Sequence, residues 1–259
     1  MSPPVRPTPG DPASILPSRR RRPRIARPGA PGPPRSNRLG PRLRPRKAPA
    51  CDIRTGDHMR AAELRAAMTA PLTVGHACDL RGLVVDEPLD LAGARIGNVD
   101  LTGTRFEAPV IARGAVFGGL AWFRDCRFAM KVDFSGAVFG NDARFDGATF
   151  MGDATFSGSE FHGVGDFDLA AFHGAAFLDR LQVLGNLSLE RTRFHGPASF
   201  EDNECFGGLW CHDAQFDGRC NTAGMEVHGR TWLTGVKLPR LLSGQPALSG
   251  IRSFGYRWS

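Results

Sequence analysis

Large apolar residues fall along the middle of the chain with a step that alternates between six and five: Phe117, Phe123, Phe128, Phe134, Phe139, Phe145, Phe150, Phe156, Phe161, Phe167 and Phe172. Carried forward unchanged, the same rule lands on Leu178, Val183, Leu189, Phe194, Phe200, Cys205, Cys211, Phe216, Thr222, Val227, Leu233 and Leu238, and only Thr222 breaks the apolar run. Two further positions keep the frame. Glycine recurs every 11 residues at Gly152, Gly163, Gly174, Gly185, Gly196, Gly207, Gly218 and Gly229, and a small residue sits two before many of the large ones, as at Ala121, Ala143, Ala154, Ala176 and Ala198. The unit is small-x-Phe-x-turn. A short edge followed by a turn calls for Gly, Asp or Asn at the corner, and only a small side chain fits beside a large one in a narrow core.

Upstream the frame tightens to steps of five at Leu91, Ile96, Leu101 and Phe106. Asp90-Leu91-Ala92-Gly93-Ala94 and Asp133-Phe134-Ser135-Gly136-Ala137 read as Asp-Leu/Phe-x-x-Ala. On these motifs the segment 79–238 resembles the pentapeptide-repeat family. The resemblance implies an all-β fold, a right-handed quadrilateral parallel β-helix in which each unit forms one face and four faces make a coil. The extra residue in every second unit raises the coil to about 22 residues where an unbroken run of fives gives about 20, so one or two corners per coil are expected to be looser or bulged. Residues 22 apart then stack at ~4.8 Å, giving about seven coils and a rod of roughly 35 Å. Phe134, Phe156, Leu178 and Phe200 are expected to form one interior column, and Phe150, Phe172, Phe194 and Phe216 another.

The flanks have other compositions. Residues 57–70 are rich in helix formers, with Asp57 placed as N-cap, Pro71 as terminator, and Met59, Ala62, Ala66 and Ala67 as a small apolar face to cap the open end of the solenoid. Residues 1–56 are expected to be a disordered Pro/Arg-rich tail, because 1–50 carry 13 basic residues, the single acid Asp11 and few apolar ones. That tail is either a nucleic-acid-binding or targeting arm, a solvated tail, or translated upstream sequence before a start near Met59. Residues 239–259, with Leu241, Leu242, Ile251, Phe254, Tyr256 and Trp258, are expected to be a C-terminal cap or tail.

Charge divides the chain in the same way. The overall +7 conceals a repeat segment, 79–238, holding 14 basic and 22 acidic residues, a net −8. Nucleic-acid contact is therefore expected only through the basic tail. No stretch of eighteen apolar residues exists, Arg19-Arg20-Arg21-Arg22 lacks the apolar run of an export signal, and six cysteines without a C-x-x-C pair read as reduced thiols. A cytoplasmic location is expected.

With inward positions assigned, outward neighbours follow. Asp146, Asp168 and Glu190, between Arg124 and His212, form an acidic ladder, with Asp179 and Glu201 on another face; it either imitates nucleic-acid phosphates or is an ordinary solvated surface. Trp210 and Trp232 fall on adjacent coils and, with the outward Phe206 and Phe177, are the candidate dimer or partner interface, unless the segment 239–259 covers them. His173 and His195, also 22 apart, have the spacing of a metal pair, but His-Gly recurs with the repeat at 162, 173, 195 and 228, which favours a corner role. Cys205 and Cys211 occupy inward positions. No catalytic fingerprint is present, so no catalytic residue and no cofactor is assigned. The chain reads as a non-enzymatic scaffold or protein-binding module. The family resemblance adds an alternative, a DNA-mimicking protein of the quinolone-resistance type that binds type II topoisomerase (gyrase).

Overall fold

The computed structural model describes residues 56–71, 76–239 and 248–259. Across them the chain forms a parallel β-solenoid preceded by one short helix. The expected tail, apart from Gly56, and Leu241 and Leu242 lie outside the described residues. Among the described residues no helix is long and apolar enough to cross a membrane.

Every strand is two residues long, and the strands stack into four sheets of nine, seven, seven and eight, the four faces of a quadrilateral. The first face starts at Cys78–Asp79, the second at Val84–Val85, the third at Leu89–Asp90 and the fourth at Arg95–Ile96. Successive coils pair 22 residues apart, as Ala121↔Ala143 and Phe128↔Phe150 show. The first coil pairs 21 apart, Cys78↔Val99 and Arg95↔Val116, where the run of fives lies.

The alternation of six and five becomes two kinds of corner. After the first and third faces the chain makes a tight turn, in which Ala137 N donates to Phe134 O at 2.9 Å and Gly136 takes a φ of 63°. That left-handed conformation suits glycine. The six-residue step makes the looser bend, and there glycine is needed for a different reason: a Cβ on Gly174 would sit 2.5 Å from the carbonyl carbon of Gly152 one coil away. The 11-residue glycine series is thus set by close approach of backbones. Side chains knit these looser corners, with Asn98, Asp142 and Asn186 Oδ1 each accepting from a backbone N–H one coil on at 2.8–2.9 Å.

Inside, rings stack along the axis. Phe106, Phe128, Phe150, Phe172, Phe194 and Phe216 run in one column with centroids 4.6–5.0 Å apart and planes within 8°. Phe134 stacks on Phe156 at 5.1 Å, and neighbouring columns meet edge to face, as Phe145 meets Phe156 at 5.2 Å. Both geometries are the favoured ones for aromatic quadrupoles.

The helix runs Ala61–Met68 with Arg60, not Asp57, at its N-cap; of the expected apolar face Met59 and Ala67 pack against the core while Ala62 and Ala66 are exposed, and the buried side is made by Ala61, Leu64 and Met68. Leu64 and Met68, four apart on one side, remove more apolar area from water than two alanines. The backbone just before the helix also closes the edge of the first coil, with Met59 N donating to Val84 O at 3.0 Å.

At the other end the solenoid continues past 238. Arg252–Ser253 pairs with Glu226–Val227 and Arg257–Trp258 pairs with Thr231–Trp232, so residues beyond 248 add a strand to two faces.

Candidate interaction surface at the C-terminal coils

In the first-face strands Leu209–Trp210 and Thr231–Trp232 the first residue is buried and the second half-buried, which places Trp210 and Trp232 at the surface. They are in register, and Trp258 follows on the next coil. Ring centroids are 5.9 Å apart for Trp210 and Trp232 and 5.1 Å for Trp232 and Trp258, with 25° between planes in both pairs. Tyr256 adjoins Trp258 at 6.1 Å. Each tryptophan therefore covers the face of the next, and rim and edge are what remain for a partner.

A second ladder follows the fourth-face strands. Phe206 stacks on His228 at 5.3 Å and His228 on Phe254 at 5.0 Å, with planes within 11°. The two ladders flank the Gly207-Gly208 corner, and Trp210 Nε1 lies 2.9 Å from where a Gly208 Cβ would stand, so the indole leans over that corner. Phe177 is 41% exposed on the third face, opposite the first, and does not join these rings.

Sequence reasoning missed the third member of each ladder, because 26 residues rather than 22 separate Phe254 from His228 and Trp258 from Trp232. A signal was present: Phe206/Trp210, His228/Trp232 and Phe254/Trp258 all keep an offset of four.

The acidic ladder is in register but engaged in the fold. Arg124 Nε donates to Asp146 Oδ2 at 2.9 Å, Asp168 Oδ1 accepts from Glu190 N at 2.8 Å, and Asp179 Oδ1 accepts from Glu201 N at 3.0 Å. The carboxylates of Asp146, Asp168 and Asp179 thus satisfy neighbouring coils, while that of Glu190 faces Arg191 beside it and Glu201 is exposed. His173 and His195 stack at 4.7 Å, and His195 Nδ1 meets Asp217 Oδ2 at 2.8 Å. Cys205 and Cys211 are buried in the core, and burial pushes the Cys205 thiol up to about 12 and the Cys211 thiol well up, which makes both poor nucleophiles and poor metal ligands. Among the described residues one group brings three metal-ligating side chains together, Glu204, Glu226 and His228, and sequence spacing had not singled it out.

A family model described as pentapeptide repeats (9 copies) matches residues 112–160 and, overlapping, 123–171. No curated protein and no solved structure matches the chain.

Proposed function

Since the chain is a pentapeptide-repeat protein, we propose that it is a non-enzymatic scaffold and protein-binding module whose contact surface is the pair of aromatic ladders on its C-terminal coils. Families of this kind are generally non-catalytic, and a solenoid offers a long regular surface for binding. The supporting observation is the exposure of rings gathered at one end: Phe206 at 45%, Phe254 at 58%, Tyr256 at 77% and Trp258 at 39%. Clustered exposed aromatics mark contact sites, and tryptophan and tyrosine dominate their energetics. The occupant we favour is a second copy of the chain in the cytoplasm, meeting the same patch in a two-fold arrangement. Sedimentation of the full-length protein at micromolar concentration should show a dimer. The double variant Phe254→Ser, Trp258→Ser should be monomeric with a nearly unchanged melting temperature, and a wild-type monomer at these concentrations rejects the self-association.

The net −8 of residues 79–238 supports a second reading, in which the rod imitates a nucleic-acid duplex and binds a type II topoisomerase. A gyrase supercoiling assay tests it directly, with inhibition or protection expected and no effect at micromolar protein rejecting it.

A further inference from the structure

Glu204 and Glu226 are the outward residues of paired fourth-face strands and stand directly opposite one another in register. Two like charges so placed repel and call for a cation between or beside them. Arg252 partly answers this from the next coil, with Nη1 2.5 Å from Glu226 Oε1. Glu204 has a different neighbour: His228 Nε2 lies 3.5 Å from its Oε1. One donor atom from each of Glu204, Glu226 and His228 falls within 4.8 Å of the others.

The imidazole is held in place by more than this contact. It is sandwiched between Phe206 and Phe254, nearly parallel to both. Its ring plane is therefore set before any ligand arrives, and with it the direction of Nε2, which lowers the ordering cost of binding.

We propose that Glu204, Glu226 and His228 form a surface site for a divalent transition-metal ion, of which zinc is the representative. In a tetrahedral zinc site with bonds of about 2.0–2.1 Å the donor atoms stand about 3.3–3.4 Å apart. The His228–Glu204 separation of 3.5 Å already matches that spacing. Glu226 closes the third corner by rotating its flexible side chain away from Arg252, and water takes the fourth. One imidazole and two carboxylates bring two negative charges to the ion and select zinc, nickel or copper over magnesium or calcium, which prefer all-oxygen sites. All three side chains are between a third and two-fifths exposed, so the ion enters from solvent without opening the core. The site spans two successive coils, and the ion would tie them together across the fourth face.

The assignment does not depend on the protein-binding reading. Metal-stripped full-length protein titrated with zinc chloride against a chromophoric chelator should take up one equivalent, with excess magnesium failing to compete. His228→Phe preserves the aromatic stack and removes the ligand, so it should melt as wild type yet bind zinc at least tenfold more weakly, roughly the loss expected on disrupting a metal site. Glu204→Gln should weaken binding similarly, and Arg252→Gln, which frees Glu226, should tighten it. X-ray absorption should show one imidazole with oxygen ligands and no sulfur. No uptake, uptake unchanged in His228→Phe, or sulfur ligation would each overturn the proposal.

Discussion

From Phe117 to Phe172 every large inward position is phenylalanine, and Trp122 is the one aromatic ring pointing outward in that stretch. From Phe177 onward the arrangement is partly reversed. The interior passes through Leu178, Val183, Leu189, Cys205, Cys211, Thr222, Val227 and Leu233, keeping only Phe194, Phe200 and Phe216, while Phe177, Phe206, Trp210, Trp232, Phe254, Tyr256 and Trp258 stand outside. The tight corners are mixed in both regions: Asp125 and Leu169 share the left-handed conformation with Gly136, Gly147 and Gly158 in the middle, and Gly224 and Gly235 share it with Arg180, Arg191, Asp202 and Asp213 further on. One backbone plan thus serves two ends. The middle puts its aromatic area into cohesion, and the C-terminal coils put part of theirs on the surface.

The largest effect expected from this contrast is in the middle. Phe156→Ala deletes a fully buried ring that stacks on Phe134 and meets Phe145 and Phe167 edge to face, and it should lower unfolding free energy by about 3–5 kcal/mol with a less cooperative melt. An unchanged melting curve would remove the cohesive role assigned to that region. At the junction of the two regions, Gly174→Ala drives a Cβ into the backbone of Gly152. Overpacking of this kind should cost about 1–3 kcal/mol, readable as a lower denaturant midpoint, and a neutral result would show that the looser corners yield. The smallest effect runs in the opposite direction. Leu169 holds a φ of 60° and is 61% exposed, so Leu169→Gly should relieve backbone strain and raise stability by about 1 kcal/mol. Gly158→Leu, one tight corner earlier, should cost a similar amount, and equal melting temperatures for both variants would show that these left-handed corners carry no such strain.

The ladders on the C-terminal coils were legible only in part. Trp210 and Trp232 follow from the 22-residue register alone, whereas Trp258 and Phe254 rejoin after a break in the period that no extrapolation crosses. The helix shows a similar limit. Its existence follows from composition, but which side it buries depends on the coil beneath, and there Leu64 and Met68 take the place expected of Ala62 and Ala66.

The repeat in the chain determined the four-sided coil, the inward phenylalanine columns and the places where glycine must fall, because a period imposes the same environment on every copy and each copy repeats the signal. The tertiary structure alone decided that one glycine series answers to backbone approach and the other to a left-handed turn, that Asp146, Asp168 and Asp179 of the acidic ladder serve as coil-to-coil hydrogen-bond acceptors, and that His228 lies between two phenylalanines beside a pair of glutamates. Those outcomes depend on distances across coils and on side-chain rotation, and a one-dimensional period carries neither.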